Sequence, residues 1–372
     1  MKAEYQARLK QVRQILRAKE LDALLVLIAE NRLYLSGFAG EDTQFDESAG
    51  ALIITAEKLI LATDSRFELQ ARREAPDFET IIYREGLVKE LPVVLKGLQT
   101  RRLGFESIRV SHAQHRKMAT ALKEAALAAE LVDTEDIVEN LRIAKTQPEI
   151  AAIRKALHLA EAVFDRVAAD LKPGMTEKEA AWSLERALRE AGADKLSFPV
   201  IVAAGPNSAL PHAIPGDRPL KPGEPILFDW GIRLQGYCSD ISRTLIMGKP
   251  DRTFQEVFQA VREAQEMAIA AIKPGADARA VDAIARSHIE KMGFKDRFGH
   301  GLGHGVGLAI HEQPRLSPLS DKKLEAGMVC TVEPGIYLPD WGGVRLENMV
   351  AVTADGAEIL NETAVDDVRL EA

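Results

Sequence analysis

The stretch FDWGIRLQGYCSD, residues 228–240, holds two carboxylates, Asp229 and Asp240, in a run that otherwise reads as a hairpin. Aspartate is depleted from strands, so two of them in one hairpin need a reason. Pairing 225–234 antiparallel with 236–246, with the turn on Leu234 and Gln235, sets Asp229 opposite Asp240. Their Cβ atoms would then be about 5 Å apart, where like charges destabilise a strand pair. Glu333 and Glu347 repeat the pattern around the loop PDWGG, centred on Asp340. Four converging carboxylates are a poor choice for stability alone. Two divalent cations, about 3.5–4 Å apart and clamping a water between them, reconcile the charges. A nitrogen ligand is expected from FGHGLGHGVGLAIHEQP, residues 298–314, whose His300, His304 and His311 stand among five glycines. Glycine lets backbone approach a site closely.

The elements that must position these residues are repeated. LKPGMTEKEAAWSLERAL from Leu171 is echoed by IKPGADARAVDAIARSHI from Ile272, each placing Lys-Pro-Gly or its equivalent between two helices. LKPGEPILFDWGI (220–232) aligns with LEAGMVCTVEPGI (324–336), so that Asp229 matches Glu333. Two copies imply an internally duplicated domain, each half helix, helix, strand, strand, rather than a solenoid. Duplication explains repeated glycines and apolar residues, but not an acid placed twice in an apolar strand. Thr146, Pro148 and Glu149 mark the start of a long helix to about Asp170, and Thr176 with Glu179 forms a second capping box.

Upstream, residues 1–140 alternate helical and strand-like segments. Helices are expected over 4–19, 64–75, 86–98 and 111–129, and strands over 23–28, 50–55, 58–63, 78–83 and 102–106. This is an α/β domain with neither a phosphate-binding glycine loop nor a nucleophile elbow.

The chain has 372 residues, 48 basic and 56 acidic, for a net charge of −8. Two domains fit that length, and the charge argues against nucleic-acid or anionic-membrane partners. Only Cys238 and Cys330 are present, which allows no disulfide framework beyond a single bridge and fits a reducing compartment. The N-terminus is charged and amphipathic, and no stretch approaches the ~18 apolar residues of a membrane span. A cytoplasmic protein is expected. His112, His115, His158 and His288 lie in helix-like segments and are given no role.

At Asp229, Asp240, His304, Glu333 and Glu347 the sequence resembles the aminopeptidase P and prolidase branch of the methionine-aminopeptidase-like metallopeptidases. That resemblance implies an α+β catalytic domain of the pita-bread fold over 147–372, behind a creatinase-like N-terminal α/β domain over 1–140. The family's five metal ligands fall on those five residues without a gap, the second acid eleven residues after the first. NSALPHA supplies His212, GLAIHE supplies His311, EPGIY supplies Tyr337 and GVRLEN supplies Arg345, all family features. HEQPRLS puts Arg315 where some prolidases hold the substrate's terminal carboxylate. The complete ligand set argues against a creatinase-type amidinohydrolase, and the N-terminal domain favours the proline-specific branch over methionine aminopeptidases.

The resemblance implies two divalent ions, manganese or cobalt first and zinc also acceptable, and proline-containing peptides as substrates. Glu333 is expected to bind metal and accept a proton. His212 and His311 are expected to steady the carbonyl oxygen, Arg345 to orient an acidic ligand by a bidentate contact, and His300 to support the site from behind or brace the glycine-rich turn. An Xaa-Pro aminopeptidase acting on longer peptides is the leading expectation, because no loop around 205–220 or 312–320 is long enough to block them. The alternatives are an Xaa-Pro dipeptidase, a methionine-aminopeptidase-like enzyme and a non-catalytic binding relative. A homodimer is the expected assembly.

Overall fold

The computed structural model describes residues 2–42, 44, 47–363 and 369–370. The outer limits expected for the two domains, 1 and 372, lie outside these residues. The chain divides into two compact units, Met1–Arg142 and Ile143–Ala372.

The first unit is built on a six-stranded sheet. Its order is Glu79–Ile82, Leu59–Thr63, Ala51–Thr55, Ala23–Val26, Arg102–Glu106, Glu130–Thr134. Ala23–Val26 is buried along its whole length, as a strand covered on both faces must be. It pairs antiparallel with Ala51–Thr55 and parallel with Arg102–Glu106. Thr55 and Lys58 close the expected two-residue loop at Ala56 and Glu57. Leu25, Ile53, Leu95, Leu103 and Phe105 meet in its core.

Three expectations need correction here. The helix read over 64–75 begins at Glu68, because Asp64 accepts from the Arg66 N–H at 2.8 Å and makes a turn instead. The helix read over 111–129 is His112–Glu124, capped by Ser111, and Ala126 at φ 53 turns the chain toward the unforeseen strand Glu130–Thr134. The helix Ala29–Ser36 was not expected at all.

In the second unit the duplication is visible in single hydrogen bonds. The Gly174 N–H donates to Leu220 O at 2.9 Å, and its counterpart Gly275 donates to Leu324 O at 2.7 Å. Leu220 N–H returns to Met175 O, and Leu324 N–H to Ala276 O. Each half opens on a helix pair: Gln147–Ala169 with Glu177–Glu190, then Arg252–Ala271 with Ala278–Lys291. The first helix starts where Glu149 accepts from the N–H and hydroxyl of Thr146, each at 2.8 Å. Its Ile150, Ile153, Leu157, Ala160 and Phe164 recur at helical spacing and are buried; truncating one of the larger four to alanine costs about 2–5 kcal/mol. Phe164 stacks on Trp230 with ring centroids 3.9 Å apart. The first pair covers a core with Leu184, Phe228 and Ile241, and the second pair one with Val281, Val332 and Val350.

Between the helix pairs lie the strands that carry the site. Ile241–Met247 pairs antiparallel with Pro225–Trp230, which pairs with Ile201–Ala204. Gly303–Gly305 lies between Glu312–Leu316 and Val329–Val332, and Val329–Val332 pairs with Asn348–Val352. Gly303 and Gly305 have a steric reason: a Cβ on the first would collide with Thr331 O, and on the second with Gln313 O.

Candidate metal centre and active site

The first hairpin turns one residue later than expected. Leu234 pairs with Tyr237, so Gln235 and Gly236 form the turn, at φ 53 and 87. A two-residue loop with both φ positive matches the strands' twist better than one centred on Leu234. In this register Asp229 lies opposite Ser242, not Asp240. Asp240 is therefore a diagonal neighbour on the same face, wider apart than a direct pair. The second hairpin keeps the expected register. Val332 pairs with Asn348 and Gly335 with Arg345, so Glu333 and Glu347 lie opposite each other, and the loop turns on Asp340 at φ 68.

Asp229, Asp240, His304, Glu333 and Glu347 line one cavity of about 590 Å³ with His212, His300, His311, Arg315 and Arg345. One ligand atom from each of Asp240, His304 and Glu347 lies within 4.8 Å of the others. His304 Nε2 is 3.4 Å from both Asp240 Oδ2 and Glu333 Oε1. Its Nδ1 lies 3.1 Å from Gly305 O. A carbonyl only accepts, so Nδ1 carries the hydrogen and Nε2 turns its lone pair to the carboxylates. Thr331 fixes two members at once: its hydroxyl donates to Glu333 Oε1 at 3.1 Å and accepts from the His304 N–H at 3.0 Å.

Without a cation these carboxylates are in conflict. Burial, then the charges of Asp229 and Glu333, push Asp240 well above the usual carboxylate range. Burial, then Asp240, Glu333 and Asp229, do the same to Glu347. Glu333 is raised by burial, with His304 and Arg345 opposing. Asp229 Oδ1 and Glu347 Oε1 are buried without a hydrogen-bond partner among the described residues, which is rare for native buried oxygens. Orphaned oxygens, repelling acids and one imidazole lone pair fit a hard or borderline divalent cation.

Arg345 is the organiser behind the acids. Its Nη2 donates to Asp229 Oδ2 at 2.6 Å, its Nε to Ser242 Oγ at 2.9 Å, and its Nη1 to Tyr337 Oη at 3.0 Å and Pro211 O at 3.1 Å. The Ser242 hydroxyl in turn donates to Glu347 Oε2 at 2.7 Å. The contact to Asp229 uses one nitrogen and is not the bidentate fork expected, because the rest of the guanidinium serves three other acceptors. Burial works against the Arg345 charge, but Tyr337, Asp229 and Glu333 outweigh it and hold it protonated.

Tyr337 does not line the cavity; it stands behind it, its hydroxyl 2.8 Å from His300 Nε2. His300 Nδ1 faces Gly301 O at 2.8 Å. Burial, then Arg345, lowers the His300 pKa to about 4, so the neutral ring accepts from Tyr337 and donates to Gly301. His311 meets the His304 ring edge-on at 4.4 Å, and burial, then His304 and Arg315, lower its pKa to about 4. Arg315 lies directly across the ladder from His304.

Apart from Ser317, the remaining side chains of the wall are apolar, among them Phe198, Val200, Ile201, Pro211, Ala213, Ile214 and Pro215. None of these residues was singled out from sequence. A wall of ordinary aliphatic and proline side chains has no spacing or chemical signature to find. Among the described residues, no helix is long and apolar enough to cross a membrane.

Residues 151–354 match the metallopeptidase family M24, and residues 8–144 match the creatinase/prolidase N-terminal domain. The chain is 34% identical over 356 residues to an Xaa-Pro dipeptidase of Pyrococcus furiosus, covering 96% of this chain and 98% of the relative. It superposes on an Xaa-Pro dipeptidase from Bacillus anthracis with a TM-score of 0.91 and 34% identity, over 98% of this chain and all of the other. It superposes on an X-Pro aminopeptidase from Thermotoga maritima with a TM-score of 0.86 and 34% identity, over 96% and 99%. The chain belongs to metallopeptidase family M24, with a creatinase/prolidase N-terminal domain, and is an enzyme of that family.

Proposed function

We propose that the chain is an Xaa-Pro dipeptidase, hydrolysing the bond between an N-terminal residue and a C-terminal proline. Arg315 is the observation that carries the dipeptide preference. It shares the cavity with the five candidate ligands and lies across the ladder from His304. A guanidinium so placed pairs with the free carboxylate that follows proline in a dipeptide. This departs from the aminopeptidase expected from sequence, and the names of the Pyrococcus and Bacillus relatives support the change.

Asp229, Asp240, His304, Glu333 and Glu347 would hold two divalent cations, with manganese or cobalt suited to four carboxylates and one imidazole. Such ions supply charge that lowers the pKa of a water and polarises the scissile carbonyl. Glu333 accepts a proton from the attacking water and returns it to the proline nitrogen as the C–N bond breaks. Neutral His311 donates an N–H to the carbonyl oxygen as charge grows there, with His212 beside it. The apolar wall of Phe198, Val200, Ile201 and Pro215 suits a proline ring. Proline's tertiary amide lacks the N–H that other peptidases bind.

The test compares kcat/KM for an Xaa-Pro dipeptide with that for the matching Xaa-Pro-Yaa tripeptide. The dipeptide is expected to be preferred. Arg315→Ala should raise its KM about 10- to 100-fold, the range of a charge-assisted hydrogen bond. Equal or better cleavage of the tripeptide, with Arg315→Ala indifferent, would make the chain an aminopeptidase instead.

A further inference from the structure

Glu177 opens the helix Glu177–Glu190 and is 0% exposed. A carboxylate survives such burial only when its lone pairs are taken up. Its Oε1 accepts from Ala204 N–H at 2.8 Å and Asn207 Nδ2 at 3.0 Å. Its Oε2 accepts from Gly216 N–H at 2.8 Å and Asn207 Nδ2 at 3.2 Å. Ala204 and Gly216 are the two ends of one loop, so a single carboxylate holds both. That loop carries Pro211, His212, Ala213, Ile214 and Pro215 into the cavity. His212 is exposed, so the backbone of its loop fixes where its Cβ stands and how far into the cavity its ring reaches.

The duplication supplies an internal control. Glu177 N–H donates to Arg218 O, and at the matching place Ala278 N–H donates to Lys322 O, each at 3.0 Å. Ala278 is buried too. The helix start and its packing therefore do not call for a carboxylate. In the second half the equivalent task falls elsewhere on the helix: Asp282 accepts from Leu302 N–H at 3.0 Å, and its partner Arg286 donates to His300 O at 2.8 Å. Each half thus uses a buried acid on its second helix to hold a loop that bears an imidazole of the cavity.

We propose that Glu177 is a positioning residue for His212, acting through the two ends of the 204–216 loop and through Asn207. The inference rests on the reading above, in which His212 meets the substrate carbonyl. A ring displaced by about 1 Å costs on the order of 10²-fold in rate.

The test is a double-mutant cycle on the metal-loaded full chain with an Xaa-Pro dipeptide: wild type, Glu177→Ala, His212→Ala and the double variant. Metal content and backbone amide exchange over 204–216 are measured alongside. Glu177→Ala is expected to lower kcat about 10²-fold, with KM and metal content held and exchange faster at Ala204 and Gly216. In the His212→Ala background the same change should cost no more than about twofold, because the ring it positions is gone. Losses that multiply in the double variant, or full kcat in Glu177→Ala, overturn the proposal. Asn207→Ala takes the place of Glu177→Ala if that variant does not fold. If wild type cleaves no Xaa-Pro peptide, or His212→Ala turns over normally, the functional reading fails instead. The loop clamp is then judged by amide exchange alone, and unchanged protection of Ala204 and Gly216 in the variant sinks it.

Discussion

Replacing Arg345 separates the value of its charge from the value of its shape. The side chain is buried and makes four hydrogen bonds, through Nε, both Nη atoms and two acceptors on Nη1. Lysine keeps the charge but is a point donor on a flexible stem and cannot span those four directions. Losing two or three charge-assisted bonds, partly offset by repacking, amounts to about 3 kcal/mol for Arg345→Lys. Arg345→Ala also strands Asp229 without its cation, and breaking a buried pair costs about 3–5 kcal/mol. A unit of roughly 230 residues, Ile143–Ala372, shifts its Tm by about 2–4 °C per kcal/mol. Differential scanning calorimetry on the metal-loaded chain should therefore show about 6–12 °C lost for lysine and more for alanine. Because Arg345 orients Asp229 directly and Glu347 through Ser242, both variants should also bind metal more weakly in a competition titration. An Arg345→Lys variant as stable as the parent would refute the reasoning from shape. Alanine no worse than lysine would refute the reasoning from charge.

Chelation should destabilise the catalytic unit by about 2.7 kcal/mol for each cation removed from a hundredfold excess over its Kd, read as a fall in Tm. Asp240 and Glu347 are raised when no cation is present. Their contribution to the stability of the chelated protein is therefore complete below the unfolded carboxylate pKa and is lost as pH rises through the raised values; a Glu347→Gln variant whose chelated form keeps the parent's pH dependence of Tm contradicts this. His311→Ala should lower kcat about 10²–10³-fold with metal content retained, and a metal-free variant would instead mark His311 as a ligand. In the first unit, burial lifts Glu106 to about 7, against hydrogen bonds from Asn31, Ile28 and Leu27 and beside the Glu139 carboxylate. Its contribution to stability is complete below the unfolded carboxylate pKa and is lost as pH rises toward 7. Glu106→Gln should flatten that dependence in urea titrations from pH 4 to 8, and an unchanged profile would place the titration elsewhere.

Spacing made the acids legible, since an aspartate or glutamate in an apolar strand is conspicuous wherever it falls. Register was legible only where the turn was. PDWGG is rich in turn residues and fixed the second hairpin correctly. In the first, Gln235 and Gly236 compete with Leu234 and Gln235, and the left-handed conformation of both turn residues decides the matter. That one-residue difference moves Asp240 from a direct to a diagonal neighbour of Asp229. The Arg345 network was half visible: Arg345 showed in GVRLEN and Tyr337 in EPGIY, but the acceptors Ser242 and Pro211 O are distant in sequence. Gly305 O, which sets the His304 tautomer, is a backbone atom, and every residue has one. Helix ends in the first unit went astray where propensity continued past a local turn, as at Ala126.

The candidate ligands are divided between the two halves of the duplication. Asp229 and Asp240 belong to strands and loops of the first, and His304, Glu333 and Glu347 to those of the second. The cluster of Asp240, His304 and Glu347 draws on both halves, so an ion bound among them would be a noncovalent crosslink between the halves. Any fluctuation that parts the halves must first give up the ion, and its binding energy is added to the barrier for that opening. Loaded with metal, the unit should melt as one cooperative block. Stripped of it, the halves are still tied by Arg345 to Asp229 and by Ser242 to Glu347, but repulsion among the acids then works against those ties.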